Sequence, residues 1–141
     1  MTAYLLDHSH VGCNAFLGGI SKNYHTNLLL SDKSDFVVIE ADEFDRSFHW
    51  LTPYATVITA TDSDHLDIYG THEAYVESFQ KYTSLIQPEG YLIIKNGIDL
   101  NPAVQPGVTV YTYSTEEGDF HAENIRIEKR RNLFRLHFSI G

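Results

Sequence analysis

A chain of 141 residues, 43% hydrophobic and 21% charged, is long enough to bury one core and too short for two large domains. Its formal net charge of −9 argues against a nucleic-acid-binding surface, although a divalent cation lets an acidic protein hold an anionic substrate. The single Cys13 excludes an intrachain disulfide, and no apolar run reaches the roughly 18 residues of a membrane span; with no visible signal peptide, a cytoplasmic location is expected.

TAYLLDHS, from Thr2, reads as the end of a short helix, and VGCNAFLGGIS as a strand running into a turn at Gly18-Gly19. A helix in first place is unusual for an α/β domain and suggests that a preceding element is missing. The Gly pair reads first as a tight turn and second as a backbone approach to a phosphate. Phe36–Ile39, Ala55–Ala60 and Tyr91–Ile94 are continuous apolar runs, as in parallel strands covered on both faces. DRSFHWL, from Asp45, is compatible with a helix that takes acids in its first turn. THEAYVESFQKYTSLI sets Tyr75, Phe79, Tyr82 and Ile86 on one helical face, with Thr71 as N-cap and Glu73 in the first turn. Gln87-Pro88-Glu89-Gly90 stops that helix, so the middle of the chain is a strand–helix–strand unit. Beyond Asn101-Pro102, the segments VTVYTY, HAENIRIE and LFRLHFSI alternate, and Lys129–Asn132 reads as a hairpin turn. The fold expected is α/β: a mostly parallel sheet flanked by helices over residues 1–100, with a small antiparallel sheet over 101–141.

Two acidic loops each follow a strand, Glu40-Ala-Asp42-Glu43-Phe-Asp45 and Asp62-Ser-Asp64-His65-Leu-Asp67. Ligands of open parallel sheets bind outside the carboxyl ends of the strands, so Glu40 and His65 are expected to converge at one edge. Hard oxygen donors select Mg²⁺ or Ca²⁺, and an added imidazole favours Mg²⁺ or Mn²⁺. Asp42, Glu43 and Asp45 read equally well as solvated or helix-capping acids. Glu40 ends an apolar strand and caps nothing obvious. His49 packs or caps, while His8, His10, His25, His72, His121 and His137 are scattered without metal-ligand spacing and read as structural. Cys13 reads as a small buried hydrophobe, and the chain has no GxSxG, HExxH or CxxC stretch.

FLGGISKNY, VVIEADEFDRSFHWLTP, VITATDSDHLDIYG and QPEGYLIIKN, in this order, resemble the central domain of the Mur ligases over residues from about 3 to 115. EADE-x-D followed by DH-x-D-x-Y is the specific part, and the alanine-adding branch is the nearest in pattern. The resemblance implies a P-loop-type fold and an ATP- and Mg²⁺-dependent ligase of cytoplasmic peptidoglycan synthesis. In such an enzyme ATP phosphorylates the carboxylate of UDP-N-acetylmuramate, and the amine of L-alanine attacks the acyl phosphate. It further implies Glu40 and His65 as the catalytic, magnesium-holding pair. Gly18, Gly19, Ser21 and Asn23 match a loop on the UDP-sugar side, and Asp42 joins them as substrate-binding.

The departures are specific. The family's phosphate loop, GTHGKTT, should precede TAYLLDHS and is absent from this sequence; GTHEAY at Gly70 lacks its Lys-Thr and starts a different helix. The lysine that some sister ligases carry in the helix after the DH motif is not evident, its equivalent position falling near Phe79, as fits the alanine-adding branch, whereas Ala60 replaces an Asn common in that branch. The expectation is therefore a fragment, inactive alone, that self-associates through truncated surfaces. Two alternatives remain open: a fragment of the tripeptide-recycling ligase, toward which Phe44 leans, and a non-catalytic module binding Mg²⁺ or a sugar nucleotide.

Overall fold

The computed structural model describes residues 1–128 and 131–138. They fall into two compact units, the first being Met1–Asp42 and the second starting at Glu43.

In the first unit, helix α1 (Thr2–Asp7) precedes a three-stranded sheet ordered β2-β1-β3, with β1 at Asn14–Phe16, β2 at Leu28–Leu29 and β3 at Val37–Ile39. Strand β3 pairs parallel with β1, and β2 pairs antiparallel. The small side chains of Ala3, Cys13 and Ala15 form the buried centre, ringed by Leu6, Leu17, Leu29 and Val38. Short side chains let α1 lie close to the strand. The Cys13 thiol donates to the Ala3 carbonyl at 3.5 Å, and burial, helped by the charge of Asp7, raises its pKa. That is the inert, packed cysteine expected from the sequence.

The second unit is built on a five-stranded sheet ordered β4-β5-β6-β7-β8. Its strands are β4 (Ala55–Ile58), β5 (Tyr91–Lys95), β6 (Thr109–Ser114), β7 (Phe120–Glu128) and β8 (Arg131–Phe138). Between β4 and β5 come the single turn α2 (Leu66–Tyr69) and helix α3 (His72–Thr83). Thr71 caps α3 as expected, its hydroxyl accepting from the Ala74 N–H at 3.2 Å. The backbone N–H of Glu73, then the Thr71 hydroxyl, hold the Glu73 carboxyl below its usual range. Tyr75, Tyr82 and Ile86 are buried, and Phe79 packs on the core of Ile58, Ile86, Leu92 and Ile94. Thr83 is fully buried yet satisfied: its hydroxyl donates to the Gln80 carbonyl at 2.7 Å and accepts from the Ala103 N–H at 2.8 Å.

The structure bears out the α/β class with a mostly parallel sheet and revises three details. The runs at Val37 and Ala55, expected in one sheet, lie in separate sheets of separate units. In the tail, β6 pairs parallel with β5 and β7 pairs parallel with β6; the antiparallel pairing is that of β7 with β8, which extends the same sheet. Alternation reports one covered face, not strand direction, so the pattern alone could not separate these arrangements. The helix expected through DRSFHWL is a single 3₁₀ turn, Ser47–Trp50, with no acid in its first turn; Asp45 instead accepts from the Ser47 N–H at 2.9 Å. The hydroxyl and N–H of Ser47 draw the Asp45 carboxyl below its usual range. The turn expected at Lys129–Asn132 begins at residues 129–130, outside the described residues.

Apolar residues remain open on both sheets, with Val37 50%, Ile39 45% and Val57 58% exposed. Apolar surface left open to water favours association. Sedimentation velocity at micromolar concentration is expected to show dimers or larger species. A monomer with cooperative unfolding would contradict that expectation.

Candidate functional site

Glu40 continues the β1–β3 ladder by one residue: its N–H donates to the Phe16 carbonyl at 3.1 Å. This places its side chain beside the Gly pair, where Glu40 Oε2 accepts from the Gly18 N–H at 2.9 Å. A Cβ at Gly18 would stand 3.0 Å from that carboxyl group, so the absence of a side chain is what admits the contact. A Cβ at Gly19 would meet nothing within 4 Å, so open backbone lies beyond the carboxylate. Ser21 and Asn23 sit in the following turn, where the Ser21 hydroxyl accepts from the Asn23 N–H at 3.2 Å and the Ser21 carbonyl accepts from the His25 N–H at 2.8 Å. Asp42 is exposed at the end of the first unit. The structure thus brings Gly18 and Glu40 together, with Ser21 and Asn23 in the adjoining turn.

His65 belongs to the second unit. It has a left-handed backbone, φ 53°, and stands at the N-cap of α2. Its N–H donates to Asp64 Oδ1 at 2.8 Å, a local bond that offsets part of the strain of this conformation. Its Nε2 lies 3.7 Å from both Glu43 Oε1 and Asp64 Oδ2, and the ring stands edge-on to Phe44 with centroids 4.9 Å apart. The loop that presents it is anchored at both ends. Thr61 donates to the Asp99 carbonyl at 3.2 Å, and the Ser63 hydroxyl lies 2.7 Å from His72 Nδ1. Tyr69 donates to the Glu43 carbonyl, and the Arg46 guanidinium covers the Tyr69 ring at 4.8 Å. Burial, then the charges of Glu43 and Asp64, push the Tyr75 hydroxyl up to about 12.

Glu43 and Asp64 are therefore the companions of His65, and the part of Glu43 is the one that sequence reasoning missed. The DSDH stretch held a signal in the acid directly before the histidine, but nothing local said which residue of the EADEFD loop would reach it. Two carboxylates and an imidazole suit a hard divalent ion with some tolerance for nitrogen, such as Mg²⁺ or Mn²⁺. The N–H-oriented carboxylate of Glu40 is a donor of the same kind.

The description "Mur ligase middle domain" belongs to the family model that matches residues 10–141. The chain belongs to the Mur ligase family. This Mur ligase chain is 79% identical over 127 residues to the UDP-N-acetylmuramate–L-alanine ligase of Phocaeicola vulgatus, a match covering 90% of the chain and 28% of that protein. It is 54% identical over 143 residues to the ligase of the same name from Porphyromonas gingivalis, covering 100% of the chain and 31% of that protein. Among solved structures, the UDP-N-acetylmuramate–alanine ligase of Thermotoga maritima superposes with a TM-score of 0.76 at 22% identity, over 96% of the chain and 30% of that protein. The UDP-N-acetylmuramate:L-alanyl-γ-D-glutamyl-meso-diaminopimelate ligase of Neisseria meningitides gives 0.75 at 20% identity, over 96% and 46%. At these identities the two structures speak for the Mur ligase fold alone. The chain spans less than a third of the length of these curated relatives. Among the described residues, no helix is long and apolar enough to cross a membrane.

Proposed function

We propose that the chain is part of the middle domain of a UDP-N-acetylmuramate–L-alanine ligase and supplies part of its magnesium and phosphate side. The 79% identity to a relative of that name carries this reading above the tripeptide-recycling and non-catalytic alternatives. In the whole enzyme, ATP and Mg²⁺ would supply the activated phosphoryl group and neutralise the charge that gathers on it. This chain's residues would do the positioning. Glu40, oriented by the Gly18 N–H, offers a carboxylate to the cation. His65, steadied by Asp64 and Phe44, offers an imidazole, and Glu43 and Asp64 add negative charge around it. Gly18, Gly19, Ser21, Asn23 and Asp42 are assigned to the sugar-nucleotide side.

The full-length protein carrying this segment is expected to release phosphate from ATP only with UDP-N-acetylmuramate and L-alanine both present. Turnover with a tripeptide and not with L-alanine would transfer the chain to the recycling branch, and turnover with neither would favour the non-catalytic module. On the 141-residue chain itself, Mn²⁺ is expected to broaden the resonances of Glu40 and His65 with affinity of about a millimolar, as for weak oxygen sites. Glu40→Gln keeps the shape and removes the charge; His65→Ala removes the nitrogen donor and should weaken Mn²⁺ more than Mg²⁺. Broadening that is unchanged in both variants would return the two residues to structural roles.

A further inference from the structure

Strands β7 and β8 bring together three side chains that lie far from the acidic loops in sequence. His121 and His137 are direct cross-strand partners, and their rings stack with centroids 4.6 Å apart at 30°. Glu123, two residues along β7 and so on the same face as His121, places Oε1 3.7 Å from His121 Nε2 and 3.6 Å from His137 Nδ1. One donor atom from each residue falls within 4.8 Å of the others.

We propose that His121, Glu123 and His137 bind a transition-metal dication of the Zn²⁺ class, with the remaining position open to water. The first support is donor type. Two imidazoles and one carboxylate are a poor set for Mg²⁺ or Ca²⁺ and a good one for Zn²⁺, Co²⁺ or Ni²⁺. The second is geometry. Tetrahedral bonds of about 2.0–2.1 Å put donor atoms roughly 3.3 Å apart, close to the 3.6 and 3.7 Å separations from Glu123. The two imidazole nitrogens, within 4.8 Å of each other, close on the ion as the stacked rings turn. The third is the tautomer. His121 Nδ1 lies 3.3 Å from the Gly118 carbonyl, which can only accept, so Nδ1 carries the hydrogen of that bond. In the neutral ring the Nε2 lone pair then faces the carboxylate of Glu123. Such opposition is repulsive unless a cation sits between the two, and an imidazole N–H held by a backbone carbonyl is the usual orienting contact of a metal-bound histidine. The register partner of Glu123 is Arg135, yet a carboxylate oxygen of Glu123 lies beside both histidines. A proton on His121 is the rival answer to the same repulsion, and the test separates the two.

The 141-residue chain, stripped of metal, is titrated with Co²⁺, followed by its visible absorption, and then with competing Zn²⁺. A tetrahedral Co²⁺ band saturating at one equivalent is expected, displaced by Zn²⁺. His121→Ala and His137→Ala should each weaken it by about tenfold or more, while His25→Ala leaves it intact. In case either alanine variant loses its strand pairing, the unsubstituted protein gives a second readout from the ring nitrogens in ¹⁵N spectra. Zn²⁺ should shift His121 Nε2 and His137 Nδ1 together. The proposal is overturned if no equivalent of Co²⁺ binds, if binding survives both substitutions, or if these nitrogens respond to pH and not to Zn²⁺.

Discussion

Incubated with ATP, UDP-N-acetylmuramate and L-alanine, the 141-residue polypeptide is expected to release phosphate no faster than the buffer blank. P-loop enzymes hold the β- and γ-phosphates in a cradle of backbone N–H groups with a lysine, and almost all their catalysis is positioning and charge stabilisation. This sequence has no GxxGKT stretch. The nearest in letters, GTHEAY at Gly70, has its threonine committed elsewhere: the Thr71 hydroxyl caps α3 by accepting from Ala74. Glu40 and His65 can attract a cation but cannot replace that cradle. The decisive observation is phosphate release by repurified protein, compared with the same protein carrying Glu40→Gln. Turnover that survives repurification and disappears with the substitution would defeat the expectation.

Gly90→Ala should be the most damaging of the conservative substitutions. Gly90 closes the turn into β5, where a Cβ would stand 2.5 Å from the Tyr54 carbonyl oxygen and 2.7 Å from that of Gln87. Both carbonyls are already used: Tyr54 accepts from the Tyr91 N–H at 2.8 Å, and Gln87 accepts from the Gly90 N–H at 3.0 Å. The first of these bonds begins the pairing of β4 with β5, so neither carbonyl can retreat without loosening the register. Overpacking against backbone should cost about 3 kcal/mol, the upper end for such changes. In a chain of this size that lowers Tm by roughly 10 °C. Gly19→Ala is the matched control, since its Cβ would meet nothing within 4 Å, and it should stay within about 0.5 kcal/mol. Equal melting of the Gly90 variant and the parent chain would mean that the turn has another conformation available.

The features legible in the sequence are those governed by local rules. Helix α3 and its Thr71 cap follow from a periodic apolar face and a side chain that must satisfy an N–H three residues on. The stop at Gln87–Gly90, the extended runs at Ala55 and Tyr91 and the inertness of Cys13 are of the same kind. The acidic loops were legible as loops because like charges cannot be packed behind a strand without water or a cation. The family followed from the order of EADEFD and DSDHLDIY.

Beyond the unit of β4, α3 and β5, pairing between distant strands was not legible. A β-branched run carries no label for the sheet it joins, so Val37–Ile39 and Ala55–Ile58 look alike although they lie in different sheets. Register decides which residues meet, and it is set by contacts from outside the strand. That is why His121 and His137 look scattered along the chain and yet stack face to face across β7 and β8. The same holds for His65, whose carboxylate neighbours were all in view while only the fold could select Glu43 and Asp64. The sequence by itself determined helix α3 with its cap and stop, the acidic loops and the family, because each rests on neighbours in the chain. Which strands share a sheet, and which imidazoles share a carboxylate, only the tertiary structure decided, because those contacts are made between segments that no local rule connects.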